Sequence, residues 1–170
     1  MIPYNETGNQ MMDEKQTERA ILEYKAAIVL DPSIVRNYEQ LSLAYDEAGD
    51  PENALFIRSV ILGLSPKDSG EYYFNLYNRA LTRYETYDYF GALADMNEVI
   101  SIDPKEPLAY VHRAEIEIDA ELYNEALEDI EIYLKGAGED GRGLYLRGVA
   151  RIHSGIPELY EPGVLDLLSA

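Results

Sequence analysis

Cysteine and tryptophan are both absent from this chain of 170 residues. Without cysteine the chain has no disulfide, no thiolate metal ligand and no cysteine nucleophile, which suits a reducing compartment. The first twenty residues contain no basic segment followed by an apolar one, so we expect no secretory signal and a cytoplasmic location. No run of 18 apolar residues occurs, so we also expect no membrane-spanning helix.

Basic residues are scarce. The chain has 14 lysine and arginine residues against 32 acidic ones, and its formal net charge is -18 at pH 7. Such a chain repels the phosphates of nucleic acids and of anionic membranes, so we expect neither as a partner. A partner that carries basic groups is favoured instead. Much of the acidic charge is expected simply to solvate the outer faces of helices.

Residue patterns for catalysis or metal binding are also missing. The two histidines, His112 and His153, lack further ligands at a metal-site spacing. The acidic run "EIEIDAELYNEALEDIE" has no glycine turn of the EF-hand type, and no glycine-rich phosphate loop is present. The sequence therefore predicts no metal, no cofactor, no catalytic residue and no enzymatic activity.

What the chain does contain is an internal repeat. Pro32 and Pro66 lie 34 residues apart, and Pro104 follows after 38. Small and basic residues recur in the same register, as Ala20, Ala54, Ala92 and Ala126, and as Arg79, Arg113 and Arg147. Agreement among independent sets in one register, with steps of 34 or 38 residues, indicates a repeat architecture.

Each unit has the period of two α-helices. Its first helix is shown by Tyr38, Leu41, Ser42 and Tyr45, which fall at i, i+3, i+4 and i+7. The segment "EAGDPEN" then predicts a turn. The second helix is expected to end at Ser65, because a residue before proline is disfavoured in the α region. The repeated proline therefore marks the end of a helix pair.

These residues resemble tetratricopeptide repeats, whose 34-residue helix–turn–helix units have small residues where the helices cross and a proline at the close. The match lies in Gly8, Ala20, Tyr24, Pro32, Tyr38, Ser42, Tyr45, Gly49, Ala54, Pro66, Ala80, Tyr89, Ala92, Pro104, Tyr110, Ala114, Tyr123 and Ala126. A fifth unit begins with Leu144 and Gly148 and then departs, with a longer turn and Gly163 in the alanine position.

The resemblance implies an all-α fold, a right-handed α-α superhelix (solenoid) of about five helix–turn–helix units, the last of them incomplete or atypical. We expect a single domain over residues 1–170, with repeats at approximately 1–34, 35–68, 73–106, 107–140 and 141–170. Neighbouring units stack because none can bury its apolar face alone.

The arginine columns have two interpretations. Arg79, Arg113 and Arg147 on first helices could form an anion-binding ladder or an internal ion-pair network. Arg83 and Arg151 form a second column, with Glu117 between them. The network is favoured because this pattern alternates in sign. Glu117 also lies four residues after Arg113, and Asp95 and Asp129 recur 34 apart on second helices.

First helices of such repeats line the concave groove, which the resemblance implies as the binding site. The predicted partner-binding residues are apolar and aromatic: Phe74, Tyr77, Leu81, Tyr84, Leu108, Val111, Ile118 and Tyr145. Acidic residues, among them Glu85 and Asp119, form the predicted rim. Related domains grip the acidic tails of heat-shock chaperones through polar and basic side chains, but only Asn9 agrees with that pattern, which argues against such a partner.

The favoured function is a protein-interaction module or adaptor that binds a peptide or protein segment, with basic flanks, in this groove. One alternative is a self-associating scaffold that forms a homo-oligomer through the apolar C-terminal helix. Another is the regulatory part of a larger protein or enzyme.

Overall fold

A computed structural model describes residues 17–170. This part of the chain forms α-helices and one short 3₁₀ helix and contains no strand, so the predicted all-α class is confirmed. The α-helices are α1 (Thr17–Leu30), α2 (Val35–Glu47), α3 (Pro51–Leu64), α4 (Gly70–Glu85), α5 (Tyr89–Ile102), α6 (Pro107–Asp119), α7 (Tyr123–Ala137), α8 (Gly141–His153) and α9 (Tyr160–Ser169). The predicted Gly8 and Asn9 positions lie outside the described residues.

Several helices begin at a capping aspartate, and α3 ends before a proline, as the sequence indicates. Asp50 caps α3 by accepting a hydrogen bond from the backbone N of Asn53 at 3.1 Å, with proline in the first turn. Asp88 and Asp140 cap α5 and α8 in the same way. Ser65 ends α3 in an extended conformation, with φ -89° and ψ 139°, as expected before Pro66.

Within residues 17–170, each of the four turns inside a helix pair contains one residue with positive φ. That residue is Gly49 in the α2–α3 turn, at 68°, and Gly155 after α8, at 73°. At the equivalent places the chain has Tyr87 at 65° and Glu121 at 62°. These two side chains adopt the left-handed conformation that glycine tolerates best, so two of the four turns carry local strain.

The chain divides into two compact units, Met1–Thr82 and Arg83–Ala170. The boundary between them falls within α4. In the first unit, α2 packs against both α1 and α3. Its core is built from small and aromatic residues of the three helices: Ala20, Tyr24, Leu41, Ala44, Tyr45, Ala54, Ile57 and Ile61. The predicted crossing residues Ala20, Ser42 and Ala54 are all buried.

In the second unit, successive helices from α5 to α9 pack against one another. Ala92, Ala114 and Ala126 are fully buried where the helices cross. Gly148 of α8 and Gly163 of α9 meet so closely that a Cβ on Gly163 would lie 3.0 Å from the Gly148 carbonyl oxygen. Gly163 therefore takes the alanine position, as the sequence predicted, and α9 follows a turn lengthened by the 3₁₀ helix Pro157–Leu159.

No helix in residues 17–170 has the length and apolar character that crossing a membrane requires.

Candidate functional site

The predicted binding residues of the first unit lie on α4. Phe74 is 54% exposed, and Tyr77 and Leu81 are partly exposed. The rings of Tyr73 and Tyr77 stack with their centroids 6.3 Å apart. An exposed phenylalanine beside a tyrosine held by a ring contact offers apolar contact area at a small cost in side-chain entropy.

In the second unit, three predicted residues come together around one pocket. Tyr84 in the last turn of α4, Ile118 of α6 and Tyr145 of α8 line a depression of about 280 Å³. The remaining lining residues are Glu115, Asp119, Leu146 and Val149. The site is therefore part aliphatic, part aromatic and part acidic.

The pocket's polar wall is fixed by a hydrogen bond. The Tyr84 hydroxyl donates to Oδ2 of Asp119 at 2.7 Å, and the Tyr84 ring lies against that of Tyr89 with centroids 6.0 Å apart. Burial first, and then the bond to Asp119, raise the pKa of Tyr84. Tyr84 thus stays protonated and keeps donating, which holds Asp119 in place.

Glu115, one helical turn before Asp119, already has a cationic partner. Arg142 of α8 donates to its two carboxylate oxygens at 2.9 and 2.7 Å. Burial lowers the pKa of His112 nearby, and the charge of Arg142 lowers it further. Within the pocket, Glu115 is therefore neutralised by the protein itself, whereas Asp119 accepts from a neutral hydroxyl.

Two other predicted residues lie outside the pocket. Leu108, at the start of α6, is 48% exposed and stays available to a partner. Val111 is fully buried. This side chain therefore supports the surface and offers no contact area of its own.

Glu115 and Leu146 were not predicted. Glu115 precedes Asp119 by four residues, and this i, i+4 spacing was a usable signal that two carboxylates share a helix face. Leu146 is mostly buried, and its contribution depends on how α6 and α8 pack, which no single-helix pattern contains.

The predicted ion-pair network is confirmed in the second unit. Arg83 pairs with Asp95 at 2.8 Å, and Arg113 donates to both oxygens of Asp129 at 2.6 Å. Arg147 makes the same two-bonded contact with Asp166. Because these arginines bridge the helices of a pair, they are not a free ladder of positive charge.

Other members of the network lie in the first unit. Arg79 donates to the Ser59 hydroxyl at 3.2 Å. Between α2 and α3 the positions of the two charges are exchanged, because Arg58 lies on the second helix and forms an ion pair with Asp46 on the first. Arg58 also donates a hydrogen bond to the Thr82 hydroxyl at 2.7 Å. The repeat thus conserves the bridge between paired helices while the sign at each end varies.

Glu117 is a secondary partner in this network. Its carboxylate is 3.7 Å from Arg113 Nε, whose closer bonds go to Asp129. Burial, and then the charge of Asp129, raise the pKa of Glu117 to about 8. One of its oxygens is buried without a hydrogen-bond partner. At neutral pH this carboxyl is therefore mostly protonated.

Within residues 17–170 no group of three or more acidic or histidine side chains is arranged to hold a metal ion. His153 instead stacks on the Tyr123 ring, with centroids 5.5 Å apart. The stacked His153 and Tyr123 rings form a contact between α8 and α7.

Comparison with known proteins gives a fold but no sequence family. No protein-family model and no curated protein matches the sequence. Solved structures do match, and they include a crystal structure of MamA, 17% identical, with a TM-score of 0.85 over 98% of this chain and 88% of that one.

Two further matches are described as tetratricopeptide-repeat proteins. YrrB, "a TPR protein with an unusual peptide-binding site", is 16% identical with a TM-score of 0.81, covering 99% of this chain and 84% of its own. A protein from Parabacteroides merdae is 21% identical with a TM-score of 0.82, covering 98% of this chain and 64% of its own. The chain therefore has the tetratricopeptide-repeat fold, and the prediction from the sequence is confirmed.

Proposed function

We propose that this protein is an interaction module that binds a peptide or protein segment through the first helices of its repeats. The observation that carries the proposal is the pocket of the second unit, where tyrosine, aliphatic and acidic side chains converge on a volume of about 280 Å³. Concave sites with mostly apolar walls and a few fixed polar groups are typical binding sites. The description of YrrB as having a peptide-binding site supports the same use of this fold.

The proposed contact residues are those left accessible on α4, α6 and α8. Phe74, Tyr77 and Leu81 belong to the first unit, and Tyr84, Leu108, Ile118 and Tyr145 to the second. Tyrosine and phenylalanine are suitable anchors because each covers a large area with few rotatable bonds. With a net charge of -18, the protein should favour a partner with basic residues beside its apolar anchors.

A selection from a displayed library of random peptides, carried out on the full chain, tests this function. Peptides that emerge should lose about tenfold or more in affinity for Tyr145→Ala, for Phe74→Ala or for both, measured by fluorescence anisotropy. Phe90→Ala is the matched control, since Phe90 is an exposed aromatic on a second helix, outside the proposed surface. If peptides bind all three variants as they bind the wild type, the proposed surface is wrong.

Self-association is the second candidate, and exposed leucines favour it. Leu165 and Leu168 of α9 are both largely exposed, and apolar surface of this kind marks a possible contact between copies. Sedimentation velocity over a hundredfold dilution tests it: a concentration-dependent dimer that Leu168→Glu abolishes would support a scaffold. A monomer at every concentration would remove this candidate.

The remaining parts of the proposal follow from the same interpretation. We propose a cytoplasmic adaptor without catalytic or cofactor chemistry, whose residues 1–170 form one repeat domain. A role as the regulatory part of a larger protein or enzyme is compatible with the same binding surface.

A further inference from the structure

The pocket of the second unit has two chemically different walls. Ile118, Leu146 and Val149 supply aliphatic surface, and the rings of Tyr84 and Tyr145 supply aromatic surface. A side chain that fills it must contact hydrocarbon along its length. It must also meet carboxylates, since Glu115 and Asp119 belong to the same lining.

Asp119 is the carboxylate of this pocket that lacks a cationic partner among residues 17–170. Its Oδ2 accepts a hydrogen bond from the Tyr84 hydroxyl, and Oδ1 takes none from the described residues. Glu115 differs because Arg142 occupies both of its oxygens. The aspartates of the interior, such as Asp129, are likewise paired with arginine.

The charge and shape of the site select one class of occupant. An uncharged apolar side chain would cover Asp119 and remove its hydration without replacing it, which is costly. An acidic side chain would be repelled. A guanidinium on a three-carbon stem meets each wall: the stem covers aliphatic surface, the plane stacks on tyrosine, and the N–H groups bond a carboxylate in pairs.

We infer that this pocket binds the side chain of an arginine in the peptide partner, with the guanidinium on Asp119 and between the Tyr84 and Tyr145 rings. The inference rests on the proposed function and gives it a specificity: the partner carries an arginine beside its apolar anchors. One helical turn before Asp119, the Arg142–Glu115 pair is an example of the same two-bonded guanidinium–carboxylate contact at this pocket.

The experiment is an NMR titration of the isotope-labelled full chain with Nα-acetyl-L-arginine amide, in low salt. The matched ligands are Nα-acetyl-L-citrulline amide, which keeps the shape without the charge, and Nα-acetyl-L-lysine amide. The matched variants are Asp119→Asn, which keeps an acceptor for Tyr84, and Asp68→Asn, an exposed aspartate in the first unit. Signals of Tyr84, Ile118 and Tyr145 report on the pocket.

We expect saturable shifts of these pocket signals with arginine amide, absent with citrulline amide and weaker with lysine amide. Asp119→Asn should weaken the binding about fivefold or more, and Asp68→Asn should leave it unchanged. Equal shifts with citrulline amide, tighter binding of lysine amide, shifts spread over the acidic surface, or normal binding by Asp119→Asn would each overturn the inference. Such a result leaves the peptide selection unaffected, so the proposed function fails only if no selected peptide depends on Tyr145 or Phe74.

Discussion

Replacing Glu117 with glutamine should make the protein more stable at neutral and alkaline pH. From the sequence alone Glu117 is an ion-pair partner of Arg113, and its loss is expected to lower stability. The structure reverses this expectation, because Asp129 accepts the two short hydrogen bonds of Arg113. Glu117 is buried, and its carboxylate lies 3.7 Å from Arg113 Nε. A buried carboxyl that prefers to be neutral resists ionisation, and glutamine is neutral at every pH.

The size and sign follow from the pKa of Glu117, which is about 8 in the folded protein against an ordinary value of 4.5. Below pH 4.5 both the folded and the unfolded states are protonated, so this group contributes nothing. Between these two values the unfolded chain ionises while the folded protein does not, and stability falls as pH rises. At pH 7 this difference in ionisation should lower the free energy of unfolding of the wild type by at most about 3 kcal/mol.

Urea denaturation followed by circular dichroism measures the effect at pH 5, 6, 7 and 8. The free energy of unfolding of Glu117→Gln minus that of the wild type should grow steadily over this series. Glu128→Gln is the control, because Glu128 is an exposed acid on α7, and its difference should stay near zero. A difference for Glu117→Gln that is constant from pH 5 to pH 8, or negative at pH 8, would refute the reasoning.

Other substitutions test the packing, the turns and the bridges. Glu121→Gly should raise the free energy of unfolding by about 0.5–1 kcal/mol, because glycine relieves the strain of a positive φ; thermal melts measure it. Ala54→Leu and Ala92→Leu should each lower it by about 1–3 kcal/mol in urea denaturation, whereas Ala94→Leu, at an exposed position of α5, should have little effect. Asp166→Asn removes the carboxylate that two arginines share and should cost about 3 kcal/mol, seen as a lower melting temperature.

The repeat register could be read from the sequence because it depends on contacts that recur once in every helix pair, at steps of 34 or 38 residues. A small residue is required wherever paired helices cross, so Ala54, Ala92 and Ala126 appear in one column and are all fully buried. The aspartates of two bridges, Asp95 and Asp129, lie 34 residues apart, while their arginines, Arg83 and Arg113, occupy different turns of their first helices. Such features are local to one helix pair, and a one-dimensional pattern is enough to predict them.

The pocket could be predicted only in part, because its shape depends on the angle and spacing of three helices. Equivalent positions in successive repeats place Tyr84, Ile118 and Tyr145 on first helices. These positions alone do not distinguish a residue that lines a pocket from a buried residue such as Val111. Exposure differs between Leu108 and Val111, three residues apart on one helix. That difference arises from neighbouring helices, which a pattern within α6 does not contain.

Asp166 shows where a predictable feature was missed. Asp95 and Asp129 are three residues beyond Ala92 and Ala126, so a strict interval of 34 places the next aspartate at position 163, where the chain has glycine. The 3₁₀ helix Pro157–Leu159 lengthens the turn by three residues and shifts both features together, the small residue to Gly163 and the aspartate to Asp166. Once Gly163 is assigned to the crossing, the same shift identifies Asp166 as the partner of Arg147. The register of a repeat is therefore better counted from its crossing residues than from a fixed period, because an insertion in a turn leaves the spacing within each helix unchanged.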